Sequence, residues 1–288
     1  MLLWCGGTAD LTAGTATLPL PQHLGSRTAY LPGSVGFDYY LGIPYSADMG
    51  DARATPCVEK DDSVRVVRGA TEQWLQQQMT SGVSSVEVLH ASQGTSSGRP
   101  SAVTAPDPAS KYLPLVYQRP LSTGNDDEPT NQYSRGSTLR RRTNTTVLEQ
   151  PLDFSTLGPK YNDFALEFIE DHAAAPFFLY FPFSHVHATS GIQPQEQYAS
   201  CAFQNSTQRG LFGDALAEVD WIVGNIVEKL EALKLQSNTL ILFTGDNGPD
   251  MFKGQSGGSE GLFTGRYSGY WNTGKGSTWE GGVRYVAV

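Results

Sequence analysis

Apolar residues in the second half of the chain follow two alternating rhythms. Tyr161, Phe164, Ala165, Phe168 and Ile169 recur three or four positions apart, which places them on one helical face and predicts a helix over about 159–172. "FFLYF" (177–181) is a short continuous apolar run, the pattern of a strand buried on both sides. Phe212, Leu216, Val219, Val223, Ile226, Leu230 and Leu233 restore the helical spacing over about 212–234, and "TLILFT" (239–244) returns to the strand pattern. Helix, strand, helix, strand with continuous apolar strands predicts an α/β fold, a parallel sheet covered on both faces.

The first half carries weaker patterning. Residues 1–35 are rich in Gly, Thr, Leu and Pro and show no period, so they read as an irregular segment. "GFDYYLGIPYS" (36–46) is aromatic-rich and ends in a proline turn. From about 70 to 146 the sequence is polar, as in "SQGTSSGRPSAVTAPDPAS". It offers little apolar surface to bury and reads as a mobile insertion. A short helix around 70–79 and the apolar patch "YLPLVY" (112–117) interrupt it.

Composition narrows the class. The 13 Phe, 13 Tyr and 5 Trp among 288 residues supply a real core, and a net charge of -9 argues against electrostatic binding to nucleic acid or anionic membrane. No run approaches the roughly 18 apolar residues of a membrane span. The start "MLLWCGGTADL" lacks the basic region of a signal peptide. Cys5, Cys57 and Cys201 leave an odd thiol and show no metal-type spacing, while Asn144-Thr145-Thr146 and Asn205-Ser206-Thr207 are glycosylation sequons.

Candidate chemistry gathers where the strands end. In open α/β sheets the ligand crevice lies beyond the carboxyl ends of the strands. "SHVH" (184–187) follows one predicted strand and "GDNGPD" (245–250) the other. Asp246 and Asn247 offer hard oxygen donors of the kind that suit Ca²⁺ or Mg²⁺, but the same tetrad also reads as an Asx turn closed by Gly248 and Pro249. His185 and His187 alternate, so only one can face the crevice while the other packs or hydrogen-bonds inside. No third nitrogen or sulfur ligand stands near them, which leaves His187 as an anion contact or general acid. In "TGKGSTWEGGVR" (273–284) Lys275 stands between glycines, so its ammonium can approach an oxyanion closely. A Gly follows it where a phosphate loop needs Ser or Thr.

Taken together, "GFDYYLGIPYS", "PFFLYFPFSHVH", "GLFGDALAEVD", "LILFTGDNGPD" and "GKGSTWEGGVR" resemble the sulfatase family, most closely its arylsulfatase A/G-like branch, in the family's order. The resemblance covers about 36–57 and 147–288, and more faintly 112–117. It implies an alkaline-phosphatase-like α/β fold with a mixed, mostly parallel sheet and helices on both faces. The implied activity is Ca²⁺-dependent hydrolysis of sulfate esters by a sulfuric ester hydrolase. Carried onto this sequence, Asp246 and Asn247 supply part of the Ca²⁺ shell, Lys275 binds sulfate oxygens, and His187 contacts the sulfate and protonates the departing alcohol. The implied partners are a sulfated small molecule, glycolipid or glycan, and the implied location is the secretory pathway, lysosomal or extracellular.

The departures from the family pattern are equally specific. Its nucleophile is a formylglycine made from a Cys or Ser in C/S-x-P-x-R, and Cys5 is followed by "GGTAD" instead. No pair of adjacent Asp residues appears in the first 40 positions. The family's G-K-W-H-L-G segment aligns best with "LPQHLGSR" (20–27), which keeps His23 as a catalytic candidate, or as an ordinary loop histidine, and puts Pro21 where a lysine belongs. These departures lead to the expectation of a partial catalytic domain over 36–288, truncated at both ends and inactive alone, with a central strand left unpaired. The alternatives are a non-catalytic domain that binds sulfated glycans and a phosphoester hydrolase of the same superfamily.

Overall fold

The computed structural model describes residues 2–5, 15–17, 30–34, 36–44, 50–53, 57, 112–120, 143–189, 197–263 and 273–284. Seven strands form one sheet: β1 (Leu2–Cys5), β2 (Thr15–Thr17), β3 (Tyr39–Gly42), β4 (Leu115–Pro120), β5 (Thr143–Glu149), β6 (Phe177–Tyr180) and β7 (Thr239–Leu242). Their order is β5-β4-β3-β2-β6-β1-β7. β2 pairs parallel with β3 and β6, and the remaining neighbours pair antiparallel. Following those pairings along the sheet, β2, β3, β5, β6 and β7 run one way and β1 and β4 the other. The sheet is thus mixed, with most strands sharing a direction.

The order corrects the expectation of an unpaired central strand. β6 has β2 on one side and β1 on the other, with Leu2–Cys5 in register against Tyr180–Phe177. β1 and β2 lie in the segment that reads as irregular, because strands of four and three residues are too short to show a period. The apolar patch at 112–117 leads into β4, which pairs with β5 at the end of the polar segment. The helix expected over 70–79 lies outside the described residues.

Two long helices follow the predicted rhythm. α1 (Leu157–Asp171) and α2 (Leu211–Ala232) pack against each other. Their apolar stripes, Tyr161, Ala165 and Ile169 on one and Ile222, Ile226 and Leu230 on the other, meet Leu41, Leu115, Phe177, Leu179 and Phe181 in one buried cluster. Full burial of each such side chain stabilises the fold by about 1.5–3 kcal/mol. The sheet alternates as the pleat requires, so Tyr40 and Val116 point to the other face and form a small cluster with Leu31 and Val147. Among the described residues both long helices cover one face. The opposite face is covered by the turn at Pro32–Ser34 over β3 and β4, and it leaves Leu240 of β7 68% exposed.

Helix ends set the direction of the chain. The carboxylate of Asp214, in the first turn of α2, accepts hydrogen bonds from the backbone N–H of Asn205 and Thr207 and from the Thr207 hydroxyl. That bonding folds the approach loop back onto the helix start. At the other end Lys234 takes a left-handed φ of 59°, and Leu235 N–H donates to Leu230 O in a Schellman closure. The chain then enters β7 through a 3-10 turn, Gln236–Asn238.

Candidate active site at the strand ends

β6 and β7 run in the same direction with β1 between them, so their carboxyl ends empty onto one edge. Phe183 and Phe243, just beyond the two strands, meet edge to face at 6.3 Å between ring centroids. Asp246 is close enough to Tyr180 to push that phenol's pKa up, second to the effect of burial. The "SHVH" and "GDNGPD" segments are therefore neighbours in space.

The two histidines take different surroundings, but the strand ends at Tyr180 and a turn at His185–Val186, not strand alternation, parts them. The His185 side chain is fully buried, with Nε2 2.8 Å from Glu218 Oε2 and its ring 4.6 Å from that of Tyr198. Glu218 comes from the buried side of α2 and also accepts from Ser200 N–H at 3.0 Å. Its carboxylate fits only because residue 158 is glycine, since a Cβ there would lie 2.3 Å from Glu218 Oε1. His187 is exposed, its Nδ1 2.6 Å from Ala188 O. One histidine anchors the segment and the other faces outward.

The glycine-rich segments clasp each other. Gly248 N–H donates to Gly282 O at 2.9 Å, and Lys275 N–H donates to Pro249 O at 2.8 Å. The backbones approach so closely that a Cβ on Gly248 would lie 1.9 Å from Gly281 O, and one on Gly274 would lie 2.2 Å from Pro249 O. Only glycine permits that approach. Glu260, buried, accepts from the Thr273 hydroxyl at 2.6 Å and fixes the start of the lysine segment. Lys275 thereby comes to the same loop as Asp246 and Asn247, although the segments lie far apart in sequence.

The turn role within "GDNGPD" falls to Asp250. Its carboxylate caps the 3-10 turn Met251–Ser256 by accepting from Phe252 N–H at 3.1 Å. Among the described residues the side chains of Asp246 and Asn247 have no hydrogen-bond partner, and Asp246 is exposed. These two oxygen donors suit calcium in kind, but the ion takes six to eight, and no group of three or more His, Cys, Asp or Glu among the described residues could hold a metal. By themselves they do not make a calcium site. His23 lies outside the described residues.

Sequence reasoning missed Glu218, Gln197 and Glu260, the buried polar groups that hold these loops. Glu218 left one signal, a charge inside the apolar stripe of α2 between Ala215, Val219 and Ile222. Gln197 and Glu260 left none. The cysteines resolve into one bridge, Cys57–Cys201, closing a separation of 144 residues.

The family model described as Sulfatase matches residues 129–286. Arylsulfatase G of Rattus norvegicus is 30% identical over 92% of this chain and 40% of its own length, and arylsulfatase G of Homo sapiens is 31% identical over the same shares. Arylsulfatase A of Bos taurus is 36% identical over 50% of this chain and 26% of its own length. The chain thus spans 40% of the length of the arylsulfatase G relatives it matches. Among solved structures, the PsFucS1 sulfatase from Pseudoalteromonas sp. shares the fold with a TM-score of 0.53 at 22% identity, over 96% of this chain and 42% of that one. The motifs, the fold and the matches agree, and this chain belongs to the sulfatase family.

Proposed function

We propose that the clasped strand-end loops form the sulfate-contacting part of a sulfuric ester hydrolase site. The observation that carries this reading is the backbone bond from Lys275 N–H to Pro249 O, which ties the only lysine set between glycines to the loop of Asp246 and Asn247. An ammonium held there neutralises charge on sulfate oxygens, and that charge grows on the leaving oxygen as the S–O bond breaks. His187, exposed on the same edge, donates a proton to the departing alcohol. Asp246 and Asn247 would hold part of a Ca²⁺ shell. When bound, such an ion draws charge from the sulfate oxygens.

No Cys or Ser in this sequence stands in a C/S-x-P-x-R context. That observation favours a second reading for the chain alone, binding of a sulfated ligand without turnover. The test is titration of an aryl sulfate into the purified chain with Ca²⁺ present. Saturable binding that falls at least tenfold in Lys275→Ala and His187→Ala, without hydrolysis, is the expected result. No binding at millimolar ligand would sink the assignment, and hydrolysis abolished by His187→Ala would show that the chain turns over by itself.

The Cys57–Cys201 bridge supports folding in an oxidising compartment, as in the secretory route. Within it, Asn205 is the better placed sequon, since it is exposed in the loop before α2, whereas Asn144 lies within β5. A sulfated glycan, glycolipid or other small molecule is the proposed ligand class. No helix among the described residues is long and apolar enough to cross a membrane.

A further inference from the structure

We propose that Gln197 is a positioning residue that locks the His187 segment to the loop beyond Asp246 and Asn247, an inference that rests on the reading of those loops as one site. Gln197 is fully buried, and its side-chain amide donates two hydrogen bonds, to Val186 O and to Ser256 O, each at 2.8 Å. The first acceptor belongs to the peptide that joins Val186 to His187. The second ends the 3-10 turn Met251–Ser256, which Asp250 caps. One amide group therefore bridges two segments that carry different functional groups and share no strand pairing.

The orientation of the amide follows from its partners. Both are carbonyl oxygens, so only the –NH₂ end can face them, and a flipped amide would set three oxygens against one another. Gln197 stands on a fixed platform. The adjacent Tyr198 ring stacks on Phe154 at 4.3 Å and meets His185 at 4.6 Å, and Ser200 N–H is held by Glu218. The same Glu218 holds His185. The backbone on both sides of Val186 is thus tied down, by Glu218 through His185 and by Gln197 through the Val186 carbonyl. Hydrophobic packing alone leaves the rim loops free to slide relative to one another, whereas a two-acceptor bridge fixes their spacing.

The test is Gln197→Met, which keeps the length of the side chain and removes both donors, with Gln197→Asn as a smaller change too short to reach both acceptors. In a protein shown by circular dichroism to be folded, amide hydrogen exchange is expected to rise about tenfold in residues 182–189 and 250–257 and to stay unchanged in α1. Affinity for an aryl sulfate is expected to fall about tenfold in the wild-type background and not at all further in His187→Ala, because the bridge acts through His187. Unchanged exchange in both segments, a uniform rise across the protein, or the same affinity loss in both backgrounds would overturn the proposal. If the unaltered chain binds no aryl sulfate, the reading of the site fails by that result, and the exchange pattern still decides whether Gln197 braces the two segments.

Discussion

The covered face of the sheet and the rim beyond its strand ends are held by opposite means. Under α1 and α2 the contacts are between side chains, with Tyr161, Phe181, Ile222 and Ile226 all fully buried. At the rim the contacts are polar, from backbone to backbone or from buried side chains such as Gln197 and Glu260, and Gly248 and Gly274 sit where any Cβ would meet a carbonyl oxygen at 1.9 or 2.2 Å. A core of this kind tolerates swaps that conserve volume. The glycine clasp has no room for any side chain. Stability is therefore concentrated in one region and positional precision in the other.

The largest break in this comparison comes from emptying the core. Phe181 is fully buried, its ring 4.2 Å from that of Phe183 and 6.2 Å from that of Tyr161. Phe181→Ala is expected to cost about 3–5 kcal/mol in urea denaturation and to lower rim binding only as far as the folded fraction falls. Next is the bridge from Cys57 to Cys201, which ties the segment near Arg53 to the approach to α2. Cys201→Ser is expected to cost about 2–5 kcal/mol in the same assay, through the freedom regained by the unfolded chain. A loss smaller than 1 kcal/mol would mean that the two segments are held together by other contacts.

The sharpest contrast comes from Gly274→Ala. The expected cost is about 1–3 kcal/mol, from displacement of Pro249 O. Aryl sulfate affinity should fall further than that loss of stability accounts for, because Lys275 moves with the displaced backbone. Equal effects on both would erase the distinction between the two regions.

What the sequence disclosed follows the same division. Elements that bury a long face were legible, and α1 and α2 start and end within two residues of the spacing-based boundaries. β1 and β2 were not, since strands this short acquire meaning only from the partners that flank them. At the rim, Lys275 and Asp246 stood out by chemistry, whereas the contacts that unite them are backbone bonds between remote segments. Glycines with no room for Cβ look like loop glycines until the opposing strand of backbone is known. Asp250, not Asp246, proved to be the turn-making carboxylate, and two Asp residues four positions apart in one loop give no local reason to choose between them.

Alkaline pH probes the core at intermediate strength. Burial pushes the Tyr161 phenol far above its ordinary pKa of 10, with the Ser184 hydroxyl bond acting the other way. Because the folded value lies above the unfolded one, the fold binds this proton more tightly. The contribution is complete below about pH 10 and is lost as pH rises through the folded value. Stability is expected to fall above pH 10, and Tyr161→Phe should reduce that slope by about 1.4 kcal/mol per pH unit. An unchanged slope in chemical denaturation at pH 10–11.5 would show that Tyr161 is not dry.

The smallest effect tests whether stability and the rim can be uncoupled. Lys234 closes α2 with a φ of 59°, a conformation that favours glycine, and it lies at the end of the helix that leads into the start of β7. The rim lies at the opposite ends of the strands. Lys234→Gly removes the Cβ penalty of the left-handed position and loosens the unfolded chain, and the first term exceeds the second where a Schellman closure is already formed. The expected gain is about 0.5–1 kcal/mol in the denaturation midpoint, with aryl sulfate affinity unchanged. If affinity shifts with this substitution, the tension of α2 reaches the His185–Glu218 pair, and the core and the rim form a single cooperative unit.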